Sequence, residues 1–90
     1  LLPSRADLGR WINHAIANRF PVDGASDHLV SEALYLTDPE GNGVEIYADR
    51  APESWPRNGS QIAMATERLD IPSIIASVVL TVLLNLLARL

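Results

Sequence analysis

The 90-residue sequence has no cysteine, so disulfide bonds and thiolate metal ligands are excluded. Basic residues are also few, since seven stand against eleven acidic ones, and they form no cluster. A chain without a basic face is poorly suited to phosphate backbones, so nucleic acid is not expected as a partner. No basic and apolar leader opens the sequence, which predicts a cytoplasmic location. With 48% apolar residues, the chain is expected to form one small domain that gains from a partner.

The N-terminal part of the chain predicts a short end of a strand followed by a helix. Leu1 and Leu2 are interpreted as strand residues that end at Pro3, and Ser4 is predicted to cap the helix, with Asp7 three positions later. Helical spacing then predicts a buried stripe formed by Leu8, Trp11, Ile12, Ala15 and Ile16. His14 lies off this stripe and is expected to face solvent, so it is not interpreted as a metal ligand.

The middle of the chain predicts three strands. A strand around residues 27–31 is expected to pair with residues 32–37, and the turn from Asp38 to Gly43 is expected to reverse the chain into a third strand ending at Tyr47. Strand alternation places Tyr35 and Glu45 on the same face if Glu45 pairs with Tyr35 or Thr37. A register shifted by one residue would separate the two side chains.

His28, Tyr35 and Glu45 are the candidate site residues. Glutamate offers a hard oxygen ligand, histidine ligates metals or moves protons near neutral pH, and tyrosine can bond a substrate oxygen. On one sheet face, these groups would suit metal or acid–base chemistry. The spacing alone leaves open a second interpretation, in which a solvent-facing strand glutamate and a histidine at a strand end have no catalytic role.

Several residues of this stretch carry a more specific pattern, namely His28, Leu34, Tyr35, Asp38, Pro39, Gly41 and Glu45. Their order and spacing resemble the signature of extradiol ring-cleavage dioxygenases in the vicinal oxygen chelate superfamily. The longer string from Ser26 to Arg50 is similar to catechol-2,3-dioxygenase-like and glyoxalase-like proteins. Ser26 departs from the signature, which has other residues two positions before the histidine.

The resemblance implies an α+β fold, a βαβββ module whose first strand is truncated here. It implies that Glu45 binds iron(II), with manganese(II) as the alternative, and that His28 and Tyr35 contact the oxygens of a small aromatic diol that reacts with O₂. The two histidine ligands of the family are expected outside these residues, so the chain alone is not expected to retain the metal. The alternative is a non-catalytic ligand-binding or assembly module of the glyoxalase/bleomycin-resistance type.

The C-terminal tail departs from the family and is the basis of a prediction about association. Residues 1–66 are interpreted as the module and residues 67–90 as an apolar helical tail, in which polar residues recur every four positions from Ser73 onward. Three interpretations stay open: a helix buried within or between subunits, a membrane span, and non-native sequence. A span is disfavoured because the apolar runs are shorter than roughly 20 residues. A truncated sheet edge and an uncovered helix together predict a homo-oligomer.

Overall fold

The structure is a computed structural model that describes residues 1–89. Its elements are a helix, a three-stranded antiparallel sheet whose strands lie side by side in chain order, a one-turn 3₁₀ helix at Pro52–Ser54, a short two-stranded ribbon and a second α-helix. Their bounds are α1 (Arg5–Ala17), β1 (Gly24–Asp27), β2 (Ser31–Thr37), β3 (Gly43–Asp49), β4 (Arg57–Asn58), β5 (Gln61–Ile62) and α2 (Ile71–Leu87). The predicted α+β class is confirmed.

The predicted first strand is present as a single backbone contact. Leu2 forms a parallel bridge with Ala48, and its N–H donates to the Tyr47 carbonyl at 2.7 Å. The chain therefore enters along the outer edge of β3 before α1 begins.

Helix α1 starts where its cap was predicted. Ser4 has extended backbone angles, and its hydroxyl accepts from the Asp7 N–H. Leu8, Ile12 and Ala15 are buried, as the stripe predicted, whereas Trp11 is only partly buried against the core. Ile16 was predicted to be buried but is 64% exposed, because it borders an open apolar hollow at the end of the helix and no neighbouring element covers it.

Helix α1 has a second buried face that the stripe did not predict. Ala6 and Gly9 are buried there, and at Gly9 the backbone of α2 comes very close: a Cβ on Gly9 would lie 2.7 Å from the Ile74 carbonyl oxygen and 2.6 Å from a Val78 methyl. Only the lack of a side chain permits this approach. The two helices therefore pack through a glycine contact.

The strand predicted at residues 27–31 lies earlier in the chain. β1 covers Gly24–Asp27, with Gly24 opposite Tyr35 and Asp27 opposite Glu32. His28 therefore lies in the loop after β1. The chain bends sharply in this loop at Leu29, whose φ is +71°. A branched side chain seldom adopts this left-handed conformation, so sequence pattern gave no reason to end the strand there.

The turn between β2 and β3 forms as predicted. The Asp38 carboxylate accepts from the N–H of Glu40 at 2.9 Å and of Asn42 at 2.8 Å, and Gly41 has a φ of +88°. This turn pairs Tyr35 with Glu45, one of the two registers that put both side chains on one face.

Helix α2 is tied to the core at its start and exposed towards its end. Its cap, Asp70, accepts from the Ser73 N–H, and Ile74 is fully buried. The apolar helical tail predicted for residues 67–90 is helical from Ile71 to Leu87, and Leu90 lies outside the described residues. Neither helix of the described chain has the length and apolar character that a membrane crossing needs. The large apolar side chains exposed along α2 are Val79, Leu80, Val82, Leu83, Leu84, Leu86 and Leu87.

The glycine contact gives a prediction whose sign opposes helix propensity. Replacing glycine by alanine within a helix normally stabilises it by about 1 kcal/mol, but Gly9→Ala is expected to destabilise the chain by about 1–3 kcal/mol because the new methyl meets backbone of α2. Urea unfolding followed by circular dichroism measures the change. Gly43→Ala is the control, since its Cβ would meet nothing within 4 Å, and a stabilised Gly9→Ala variant would contradict the packing.

Candidate active site

The candidate site lies on the sheet face turned away from α1. On the other face, Leu34 and Ala48 belong to the core that packs against the helix. Strand alternation therefore turns Tyr35 and Glu45 away from α1. Tyr35 is half-buried, whereas Glu45 is exposed.

His28 is presented by the tight loop that joins β1 to β2. Its N–H donates to the Ser31 carbonyl at 2.9 Å, which leaves Leu29 and Val30 at the centre of the reversal. Only Leu29 of these two residues has a positive φ. A positive φ at such a loop position is ordinarily adopted by glycine, which has no Cβ to oppose it. The loop thus carries backbone strain beside a candidate site residue.

Both ring nitrogens of His28 are engaged. Nε2 lies 2.6 Å from the Tyr35 hydroxyl oxygen, and Nδ1 lies 3.1 Å from the Ala65 carbonyl oxygen. A carbonyl oxygen can only accept, so in the neutral ring Nδ1 carries the proton and Nε2 accepts from the phenol. The bond to Ala65 therefore fixes the tautomer in which Nε2 is free to take a proton from Tyr35.

The surroundings of Tyr35 favour its protonated form. Burial raises the pKa of the Tyr35 phenol above its ordinary value of 10.0, and the negative charge of Glu45 raises it further. Tyr35 is accordingly a neutral hydroxyl near neutral pH. It can donate one hydrogen bond, which goes to His28, while its oxygen can still accept another.

A network of charged side chains surrounds the start of the His28 loop. Arg50 forms two parallel bonds to Asp27, at 2.6 and 2.9 Å, and lies 3.3 Å from the Glu32 carboxylate. This arginine holds the pKa of Asp27 below its usual value. Glu32 is only 2% exposed, and Arg5 binds its other side at 2.7 Å. A buried carboxylate is thereby paired with two guanidinium groups.

The described residues offer a metal ion one suitable donor at this face. Among residues 1–89, no group of three or more histidine, cysteine, aspartate or glutamate side chains lies close enough to hold a metal. Glu45 is exposed, and no hydrogen bond or ion pair of its side chain occurs within that range, so its carboxylate is accessible. His28 is already bonded through both nitrogens. His14 is exposed on α1 and contacts Asn18. A centre with two histidines and one carboxylate cannot be built from these donors.

The hollows around α1 lie on the other face of the sheet. One of about 530 Å³ is lined by apolar residues that include Trp11, Phe20 and Leu34, and another of about 600 Å³ extends to Val44 and Ile46. Their lining is mostly apolar, and it contains none of the candidate site residues. They reflect incomplete cover of the sheet by a single helix.

The polar contacts that arrange the site were not predicted from the sequence. The ion pairs of Glu32 had one available signal, since strand alternation puts this charged residue on the same face as Leu34 and Leu36. A charge at a core position indicates a buried partner. The Ala65 carbonyl had none, because any residue can supply a backbone acceptor and the contact joins segments 37 residues apart.

The comparisons relate the chain to a dioxygenase. Over 80 residues it is 46% identical to a protein named catechol-2,3-dioxygenase from Bacillus subtilis (strain 168), an alignment that covers 83% of this chain and 26% of that relative. The chain thus spans about a quarter of the length of the curated relative it matches. No protein-family model matches the sequence. No solved structure matches it significantly.

The Tyr35–Glu45 pair predicts a change in titration. Glu45→Gln removes the nearby negative charge, so the pKa of Tyr35 is expected to fall towards, but not to, 10.0, because burial is the larger cause of its elevation. Ultraviolet titration of phenolate, with Tyr35→Phe to assign the signal, measures this shift. Glu40→Gln, at the exposed turn, is the matched control. An unchanged pKa in Glu45→Gln would show that the carboxylate does not act on the phenol.

Proposed function

We propose that this chain forms the glutamate-bearing part of an extradiol ring-cleavage dioxygenase site that acts on a catecholic substrate with O₂. The observation that carries the proposal is the bond of 2.6 Å between His28 and Tyr35, on a strand position directly opposite Glu45. The similarity to a protein named for catechol cleavage supports the choice of reaction.

In this proposal, His28 and Tyr35 move and hold a substrate proton. The phenol oxygen of Tyr35 accepts a hydrogen bond from a substrate hydroxyl, while the phenol proton is already directed at Nε2 of His28. Transfer of that proton gives an imidazolium, whose Nδ1–H continues to donate to the Ala65 carbonyl. The substrate proton then replaces the one that Tyr35 lost. This arrangement is general base catalysis through a tyrosine.

Glu45 is proposed as one ligand of a metal ion shared with further residues. Its carboxylate suits iron(II) or manganese(II), and a bound ion would supply Lewis-acid and O₂ chemistry. The described residues alone do not complete such a centre. The two imidazole donors that the resemblance implies are therefore proposed to come from outside residues 1–89. The isolated chain is expected to hold iron in less than one equivalent after dialysis.

We further propose that the exposed half of α2 pairs with the same helix of a second copy. Val79, Val82, Leu83 and Leu86 follow the spacing i, i+3, i+4 and i+7, which is that of the seam between paired helices. In a dimer with twofold symmetry, the apolar stripe of one copy covers the same stripe of the other copy. In this view, residues 1–66 carry the site, while residues 67–90 serve association even though the first turn of α2 is built into the core.

A segment exchange tests the catalytic proposal. The matched 80-residue segment of the Bacillus relative is replaced by the corresponding part of this chain, and the chimera is assayed for iron content and catechol cleavage. It is expected to retain both. Within it, Glu45→Gln is expected to lose iron, and Tyr35→Phe to lower kcat by about 10²- to 10⁴-fold while iron is kept.

Matched controls make the exchange decisive. Glu40→Gln in the chimera is expected to change neither iron content nor kcat, since Glu40 lies at the exposed turn. A folded chimera that keeps its iron after Glu45→Gln would contradict the ligand assignment. A folded, iron-loaded chimera that does not cleave catechol would contradict the reaction and leave a ligand-binding role.

Association is tested on the chain itself. Light scattering at micromolar concentration is expected to give a dimer, and Leu83→Gln is expected to weaken dimerisation by about tenfold or more, because each copy loses a buried leucine. Asn85→Gln, on the same exposed part of α2, is the control. A monomer for the unaltered chain would exclude the helix pair.

A further inference from the structure

Arg50 contacts the His28 loop at several points at once. Its guanidinium binds both oxygens of Asp27, at 2.6 and 2.9 Å, and donates to the Leu29 carbonyl at 3.0 Å. Its backbone N–H donates to the Val30 carbonyl at 2.8 Å. Every residue that flanks or follows His28 in the loop is therefore bonded to one residue at the end of β3.

We propose that Arg50, acting with Asp27, is a positioning residue that holds the His28 imidazole against Tyr35. This inference rests on the proposed function only where it concerns turnover. The positioning itself is a property of the folded chain. Neither residue is proposed to touch substrate.

The loop needs such a brace because its backbone is unfavourable by itself. Leu29 has a φ of +71°, a conformation that a leucine adopts only when its surroundings enforce it. Asp27 contributes to that enforcement, since its carboxylate also accepts from the Leu29 N–H at 2.8 Å. The Leu29 N–H is thus bonded to Asp27, and the Leu29 carbonyl oxygen is bonded to Arg50. Relaxation of this residue would rotate the preceding His28 away from Tyr35.

The geometry calls for arginine in particular. A guanidinium can bind both carboxylate oxygens in parallel and still donate to a third acceptor, whereas an ammonium is a single point of charge on a flexible stem. The Arg50 and Asp27 side chains are 28% and 17% exposed, so solvent only partly competes for these bonds. Arg50→Lys therefore preserves the positive charge near Glu32 and Asp27. It removes the guanidinium that binds both Asp27 oxygens and the Leu29 carbonyl at once.

The test measures the tautomer and the mobility of the His28 ring. Nitrogen-15 NMR of the full chain is expected to show the Nδ1–H tautomer of His28, in contrast to the Nε2–H form that dominates for a neutral histidine side chain exposed to water. In Arg50→Lys, this signature is expected to be lost and replaced by the exchange-averaged shifts of a mobile ring, while the amide shifts of α1 and β3 stay in place. Arg10→Lys is the matched control, because Arg10 forms a surface pair with Asp7 on α1.

A second variant separates positioning from folding. Asp27→Asn keeps the side-chain volume but replaces the carboxylate that binds Arg50 through both oxygens. This variant is expected to release the His28 ring in the same way as Arg50→Lys. A folded Arg50→Lys or Asp27→Asn variant that retains the full Nδ1–H signature would overturn the proposal. Loss of folding in both variants would also overturn it, by assigning the pair to the fold alone.

Turnover in the chimera described above provides the functional readout. Arg50→Lys is expected to lower kcat by about 10- to 100-fold with little change in KM, as a small displacement of a catalytic group does. A variant in which the His28 ring is mobile but kcat is unaltered would overturn the role of Arg50 in turnover. The NMR evidence that Arg50 positions His28 would be unaffected. A folded, iron-loaded parent chimera without activity would refute the proposed reaction without altering the NMR test of positioning.

Discussion

The fold depends on one buried carboxylate. Glu32 lies on the core face of β2, 2% exposed, between the guanidinium groups of Arg5 and Arg50. Arg5 also donates to the hydroxyl of Ser73 in α2, while Arg50 continues the network to Asp27 at the end of β1. Through its two arginine partners, this acidic side chain connects both helices with β1, β2 and the residue that follows β3. A buried pair of this kind adds little net stability over an apolar core, but loss of one partner is costly, so it fixes how the elements are arranged.

The same network joins the scaffold to the site. Arg50 is shared between the buried Glu32 and the loop that presents His28, so the position of the imidazole is coupled to the packing of β2 under α1. The partner of the imidazole, Tyr35, lies three residues beyond Glu32 on the same strand, on the opposite face. β2 therefore carries the buried carboxylate of Glu32 on one face and the candidate site residue Tyr35 on the other.

What the sequence predicted is what local chemistry determines. The Ser4 cap and the Asp38 turn were identified because caps and turns depend on side chains within a few residues. The Asp38 turn then determines the register that pairs Tyr35 with Glu45. The end of β1 was misplaced because Leu29 is held at positive φ by Arg50, 21 residues away. The buried side of α1 at Gly9 was missed because it exists only through the approach of α2.

The two halves of α2 have very different surroundings, and this has a consequence for local opening. Ile74 is fully buried and Ser73 is bonded to Arg5, whereas the apolar side chains from Val79 onward are about half exposed or more. Amide exchange in the first turns should require disruption of the whole core, while the last turns can fray separately. A single continuous helix would then contain both strongly and weakly protected amides, with the boundary near Val78, where contact with Gly9 ends.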